Sequence, residues 1–181
     1  MAIHKFYMLY KGLQEALGEA QANELFPEYS QLPDKMPPLE QAELGRTIMT
    51  RMDESLDKET IIRIRHAHTC NLTQKQIKDI IDLKEKYKDF DDFCIEYSKL
   101  LAPGSVKKDK DILIVSFGWK KCVCGMFRKL KEYEAVSQTW CECCNGHVIK
   151  HYSFVCGKRV SSEIVETVAC GKNDCVFKIN M

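Results

Sequence analysis

The sequence has little of what marks a membrane, secreted or fibrous protein. No apolar run approaches the roughly 18 residues that a membrane span needs. The first eight residues contain neither a sustained apolar segment nor a small-residue cleavage site. We therefore expect no signal peptide and a cytoplasmic protein without a membrane partner. The hydrophobic fraction of 45% and the charged fraction of 29% are ordinary for a globular domain and exclude a mostly disordered chain.

Several catalytic and binding motifs are also missing. The sequence contains no Gly-rich phosphate loop and no Gly-x-Ser-x-Gly elbow. The net charge is only +1, and no concentrated basic stripe predicts nucleic-acid binding. The charge is nevertheless uneven, since residues 1–60 carry a net −5 and residues 106–181 a net +5. This asymmetry favours docking between the halves, or an anionic ligand on the second half.

Cysteine is absent before Cys70 and then abundant. Eight of the ten cysteines lie in residues 122–181. A reducing cytosol disfavours a disulfide framework, and a chain of 181 residues can bury a core without one. The cysteines are therefore expected to be metal ligands, redox thiols or small buried residues.

The hydrophobic pattern of the first half predicts helices. Helices are expected over residues 3–25, 39–54 and 90–101. Two further helices are expected from their caps: one begins at Asp57 and runs to about Cys70, and the other follows a capping box formed by Thr73 and Gln76. The Lys107-Lys108-Asp109-Lys110 segment is expected to be a solvated turn.

The second half predicts strands as well as helices. Strands are expected over residues 111–117, 160–169 and 175–179, and helices over 126–134 and from His147 to Cys156, ended by Gly157. The fold class is therefore α+β, with N-terminal helices packed with a C-terminal antiparallel sheet and helices. We expect a helical region over 1–105 and a cysteine-rich α+β module over 106–181, with one compact domain as the alternative.

Two Cys-x-Cys motifs predict a metal site. In an extended backbone, side chains two residues apart point the same way, so each motif presents two sulfurs to one point. Four thiolates suit Zn or Fe. The predicted ligands are Cys122, Cys124, Cys141 and Cys143. The alternative is that these thiols line or fill a core.

A second group of residues predicts thiol chemistry. If residues 65–70 are helical, His66 and Cys70 are four apart and face the same way, which allows thiol activation or metal binding. Cys143 and Cys144 are expected just before a helix, where the helix N-terminus favours a thiolate, so that one of them is a candidate nucleophile or redox group. His147 and His151, also four apart, are a weaker candidate metal pair. Cys94, Cys156, Cys170 and Cys175 are expected to serve in packing.

The C-terminal third carries a recognisable pattern. It comprises Trp140-Cys141-x-Cys143-x-x-Gly146-His147, Phe154, Gly157-Lys158-x-Val160, Glu163, Glu166 and Gly171-x-x-x-Cys175-x-Phe177-x-Ile179. Residues 110–181 thereby resemble the 4-vinyl reductase domain superfamily and the related L-2-amino-thiazoline-4-carboxylic acid hydrolase-like proteins, in a cysteine-rich subgroup. The chain departs from that pattern because Cys170 directly precedes Gly171. The resemblance implies an α+β domain with a pocket for small hydrophobic or cyclic ligands, often with a cysteine-bound metal.

These observations lead to three functional hypotheses. The first is a metal-binding domain, holding Zn or Fe, with a small-molecule pocket. The second is a thiol-dependent hydrolase of a small cyclic amide or thiazoline, with Cys70 or Cys143 as nucleophile and His66 or His147 as base. The third is a redox or metal sensor. A small-molecule ligand is the expected partner in the first two, and a homodimer is left open.

Overall fold

The computed structural model describes residues 2–130 and 134–181. Within them the chain is α+β, as the sequence predicts, with seven α-helices and one four-stranded antiparallel sheet. The residues group into two compact units. The helical unit comprises Met1–Thr69, Cys122–Cys143 and Ala169–Gly171, and the sheet unit comprises Cys70–Lys121, Cys144–Val168 and Lys172–Met181. The expected division of the chain near residue 105 stays a prediction.

The helical unit begins with four helices. They are α1 (Ala2–Leu17), α2 (Glu19–Leu25), α3 (Pro38–Ser55) and α4 (Lys58–Ala67), with a 3-10 turn at Pro27–Gln31. The helix expected over 3–25 is two helices, because Gly18 adopts a left-handed φ of 85° that a continuous helix excludes. Asp57 caps α4 as expected, accepting a hydrogen bond from the Thr60 backbone N–H at 2.9 Å.

The sheet unit adds two capped helices, α5 (Gln74–Lys86) and α6 (Phe90–Leu100). The Thr73 and Gln76 capping box forms as the sequence predicts, with each side chain satisfying the other residue's backbone N–H. Asp89 caps α6 by accepting from the backbone N–H groups of Asp91 and Asp92.

The sheet is built from β1 (Ser105–Asp109), β2 (Ile112–Ser116), β3 (Ser161–Glu166) and β4 (Val176–Asn180). Their order is β1-β2-β4-β3, and every neighbouring pair is antiparallel. Residues 107–109, expected to be a solvated turn, instead belong to edge strand β1. A solvated edge strand carries charged side chains readily, which is why its sequence looks like a loop.

Helix α7 spans Gln138–Cys156 and is longer than predicted. It begins at Gln138 rather than near His147, and Gly157, with φ 68°, follows its last residue as expected. Its first six residues belong to the helical unit and the rest to the sheet unit. The described part of the helix expected over 126–134 forms turns, and residues 131–133 lie outside the described residues.

Helices and strands of the sheet unit share one hydrophobic core. Leu113, Val115, Phe177 and Ile179 point inward from the two central strands, alternating with half-buried residues. The core also takes side chains from α5, α6 and α7, among them Ile80, Phe93, Cys94, Tyr97, Val148, Tyr152 and Val155. Cys94 and Cys175 are buried, as expected for packing residues.

Candidate functional site

The four predicted metal ligands all belong to the helical unit, but they lie on different kinds of backbone. Cys122 and Cys124 precede a turn in which the Cys124 carbonyl accepts from the N–H groups of Phe127 and Arg128. Cys141 and Cys143 lie on α7. All ten cysteines fall within the described residues, and the structure places none of them in a disulfide.

The geometry predicted for the second Cys-x-Cys motif is wrong. On a helix, residues two apart are rotated by about 200° around the axis. Cys141 and Cys143 therefore do not present their sulfurs to one point, and the donor set does not fit a shared ion as arranged. In the described part of the chain, no group of three or more His, Cys, Asp or Glu side chains is placed to hold a metal ion.

Cys143 has a basic neighbour, although not the expected one. Its sulfur lies 3.8 Å from the Lys5 Nζ of α1, and the side chain is buried. The expectation that Cys143 and Cys144 precede a helix is wrong, because α7 begins five residues before Cys143 at Gln138. The helix N-terminus therefore lies more than one turn away from both thiols.

His66 and Cys70 are not on one helical face. Helix α4 ends at Ala67, so Cys70 lies beyond it and is exposed. His66 contacts a carboxylate instead, since its Nε2 lies 2.8 Å from Oε2 of the buried Glu142. His68 similarly lies 2.7 Å from Glu15.

Within the sheet unit, His147 contacts the backbone of Cys70. Its Nδ1 donates to the Cys70 carbonyl oxygen at 2.8 Å, which places a proton on Nδ1. His147 and His151 lie one turn apart on α7, as expected, with ring centroids 5.8 Å apart and perpendicular planes.

His151 belongs to a buried polar pair. Its Nε2 is hydrogen-bonded to the Tyr97 hydroxyl of α6. Burial, with a smaller effect from the charge of His147, lowers the pKa of His151 to about 4, and burial raises the pKa of Tyr97. At neutral pH the phenol therefore donates to a neutral imidazole, whose own proton resides on Nδ1.

Arg65 and Trp140 form the buried cationic contact of the helical unit. Arg65 is 7% exposed, and its Nη2 donates to the Trp140 carbonyl oxygen at 2.8 Å. The guanidinium carbon also lies 4.6 Å from the centroid of the Trp140 ring. Among the described residues, Arg65 Nε has no hydrogen-bond partner.

A cleft of about 440 Å³ lies within the helical unit, and one of its lining residues, Phe127, contacts the Trp140 ring. One face of α3 supplies four of its walls, at the helical spacing i, i+3, i+4 and i+7. The segment before α7 supplies the remainder. The lining residues are Leu39, Ala42, Glu43, Arg46, Phe127, Glu134 and Val136. The volume is within the range of about 300–1,000 Å³ that is usual for small-molecule sites.

The floor of the cleft is apolar and the rim is charged. Ala42, Phe127 and Val136 are buried, whereas Leu39 is 53% exposed. At the rim, Arg46 forms an ion pair with Glu134. The cleft therefore offers an apolar surface and one cation within reach of the same ligand.

Reasoning from the sequence missed Arg65, Glu142 and Arg46. Arg65 follows Ile61 by four residues and so lies on the apolar face of α4, a signal that was available. Glu142 lies between Cys141 and Cys143, and the Cys-x-Cys pattern predicts a role for the two sulfurs but none for the carboxylate between them. No local pattern distinguishes Arg46 from an exposed helical arginine.

Fold and cleft together define an α+β protein with a candidate small-molecule site. The model of a "Family of unknown function (DUF6144)" matches residues 3–181, and the chain belongs to that family. No curated protein matches the chain. A solved structure titled "Modulating Heme Redox Potential Through Protein-Induced Porphyrin Distortion" is 15% identical. The alignment covers 96% of each chain with a TM-score of 0.41, at which neither fold nor ligand can be transferred.

None of these matches names the 4-vinyl reductase superfamily, so the resemblance to it stays a prediction. In the described residues, no helix is both long and apolar enough to cross a membrane.

Proposed function

We propose that this protein binds a small molecule in the α3 cleft, and that the ligand combines an apolar or cyclic body with one carboxylate. The observation that carries the proposal is the cleft's composition: a buried apolar floor, and one cationic side chain, Arg46, in a lining whose acidic side chains are Glu43 and Glu134. Pockets of this kind recognise a ligand by burying its apolar part and fixing its orientation with a few polar contacts.

Arg46 is suited to bind the carboxylate because its present partner is easily displaced. The Arg46 side chain is 34% exposed, whereas that of Glu134 is 80% exposed. An ion pair that exposed contributes little free energy, so a ligand carboxylate can replace Glu134 at small cost. The planar guanidinium then forms two parallel hydrogen bonds to the carboxylate.

The floor is held in place by packing behind it. Phe127 contacts Trp140 edge to face, with ring centroids 5.9 Å apart. A Cβ at Gly45 would lie 3.0 Å from the Trp140 ring, so glycine allows α3 to approach this closely. Arg65 fixes Trp140 from another side. A floor already ordered before binding lowers the entropic cost of ligand capture.

The test uses probes that match the proposed chemistry. Anilinonaphthalene sulfonate, an aromatic body with one anionic group, is titrated by fluorescence and displaced with octanoate or with neutral octanol. We expect Arg46→Gln to weaken octanoate binding about tenfold, corresponding to one charge-assisted contact. Glu134→Gln removes the internal competitor and should tighten octanoate binding, while octanol responds to neither change.

A matched control lies on the same helix. Arg51 forms a two-bond ion pair with Glu28 at 2.8 Å, and neither residue lines the cleft. Arg51→Gln should leave octanoate binding unchanged. Equal losses in Arg46→Gln and Arg51→Gln, or equal affinity for octanoate and octanol, would refute the proposed site.

We also retain the cysteine metal site as a proposal. Binding of Zn or Fe by all four sulfurs would require Cys141 and Cys143 to leave their helical arrangement. Elemental analysis of anaerobically purified protein tests this, together with the serine variants of Cys122, Cys124, Cys141 and Cys143. One metal per chain that disappears in the serine variants supports the site, and a metal-free wild type contradicts it.

The hydrolase and sensor hypotheses stay predictions, as do a cytoplasmic location and a homodimer. For the hydrolase, a supporting contact is the hydrogen bond that His147 donates to the backbone carbonyl of Cys70. Light scattering after size exclusion tests the homodimer.

A further inference from the structure

A second cleft, of about 390 Å³, lies within the sheet unit and is lined by three lysines. They are Lys108, Lys110 and Lys158, with Phe90, Cys156 and Met181 forming the remaining walls beside the carboxylate of Asp111. This cleft belongs to the half of the sequence with the positive charge excess, and it plays no part in the site proposed above.

The lysines come from two different structural elements. Lys108 lies on β1, and Lys110 lies in the β1–β2 turn with a left-handed φ of 53°. Lys158 follows Gly157, whose φ of 68° turns the chain at the end of α7. The hairpin and the end of α7 therefore contribute three lysines to the lining of one cleft.

Two of the lysines carry the excess positive charge. The charge of Lys108 is offset, because its Nζ forms an ion pair with Asp91 at 2.6 Å and also feels the charge of Asp89. Lys110 and Lys158 share the lining with one acidic side chain, that of Asp111. Lys110 and Lys158 have no ion-pair partner among the described residues. The positive charge of Lys158 is felt at Cys156, where it partly opposes the rise in that thiol's pKa caused by burial. An anion entering the cleft would meet this excess charge.

Part of the lining is apolar. Phe90 stacks on Phe93 with ring centroids 5.8 Å apart and planes within 5°. This contact holds the Phe90 ring in a fixed orientation at the cleft, where Met181 also contributes apolar surface. An aromatic or apolar group can pack against these two residues while an attached anion reaches the lysines.

We infer that this cleft binds a phosphate monoester with an aromatic or apolar body, with the phosphate held by Lys110, Lys158 and Lys108 and the body packed against Phe90. Three ammonium groups offer charge from several directions, which suits the oxygens of a phosphate dianion better than a planar carboxylate. Binding is strongest at low ionic strength, because the lysines lie at the surface.

Phenyl phosphate is the probe, with inorganic phosphate and benzyl alcohol as separate arms. Isothermal titration measures affinity, and peptide-resolved mass spectrometry measures how far each compound protects Cys156 from N-ethylmaleimide. We expect phenyl phosphate to bind and to protect Cys156, inorganic phosphate to bind more weakly, and benzyl alcohol to do neither. The double variant Lys110→Gln with Lys158→Gln should weaken phenyl phosphate binding by tenfold or more.

The matched control removes two lysines from elsewhere in the same unit. Lys75 and Lys78 on α5 are exposed and pair with Asp79 and Asp82. Lys75→Gln with Lys78→Gln makes the same change in net charge and should leave binding intact. Circular dichroism confirms that each variant folds.

Three results would overturn the inference. The first is equal loss of binding in the two double variants, and the second is binding without protection of Cys156. The third is equal affinity for phenyl phosphate and inorganic phosphate, which would exclude the role of Phe90. The lysine variants and the protection of Cys156 report on this cleft and not on the α3 cleft, whose lining contains none of these residues. The inference can therefore fail while the proposed function stands, and the reverse.

Discussion

Replacing Arg65 tests whether the buried cation holds the helical unit together. Arg65→Ala removes the hydrogen bond to the Trp140 carbonyl oxygen and the cation–π contact with the Trp140 ring. Trp140 in turn packs against Phe127, in the floor of the α3 cleft. The substitution should therefore lower the free energy of unfolding and loosen the cleft.

The magnitude follows from the contacts that are lost. A hydrogen bond from a charged donor contributes about 1.5–3 kcal/mol. A desolvated cation–π contact contributes about 2 kcal/mol. Part of this is offset because Arg65 Nε is buried without a partner, which costs about 1–2 kcal/mol. We expect Arg65→Ala to lower the free energy of unfolding by about 3 kcal/mol. Arg65→Met retains an apolar stem and should cost about half as much.

Urea unfolding followed by tryptophan fluorescence and circular dichroism measures the loss. Arg63→Ala is the control, because Arg63 lies two residues earlier on α4 and is exposed. That variant should change the free energy of unfolding by less than about 0.5 kcal/mol. If Arg65→Ala and Arg63→Ala lose the same amount, the buried contacts of Arg65 do not stabilise the fold and the reasoning is wrong.

Three further predictions concern titration and thiol reactivity. The pKa of His151 is about 4 in the folded protein and 6.5 in the unfolded chain. Stability that is present above pH 6.5 is therefore lost as the pH falls toward 4, by up to about 3 kcal/mol. His151→Gln should flatten this pH dependence of the free energy of unfolding, measured from about pH 7.5 to 4.5. Burial raises the pKa of Cys94 to about 11, so we expect maleimide to label Cys94 far more slowly than the exposed Cys70, and similar rates would contradict its burial. The hydrolase hypothesis requires iodoacetamide at mildly acidic pH to label Cys70 or Cys143 preferentially, and uniform labelling would exclude it.

Much of the secondary structure was predictable because its signals are local. The Asp57 cap and the capping box at Thr73 each depend on residues within one turn, and both form as expected. Strand β2 and the pairing of β3 with β4 follow from short apolar runs separated by turn residues.

The failures occurred where local signals conflict with tertiary context. Strand β1 is rich in lysine, yet its backbone pairs with β2. Helix α7 contains a Cys-x-Cys spacing that is equally compatible with an extended chain, and its Trp140 and Val148 side chains are buried. Propensity alone cannot decide such segments, because packing against other elements outweighs it.

The sequence by itself determined the α+β class and the uneven distribution of charge and cysteine. Those properties depend on composition, periodicity and short-range spacing, which are present before the chain folds. Only the tertiary structure decided which side chains meet. It turned Cys141 and Cys143 apart on α7, paired His66 with Glu142, buried Arg65 against Trp140, and placed three lysines in the lining of one cleft. These contacts join residues far apart in the chain, so local sequence patterns do not specify them.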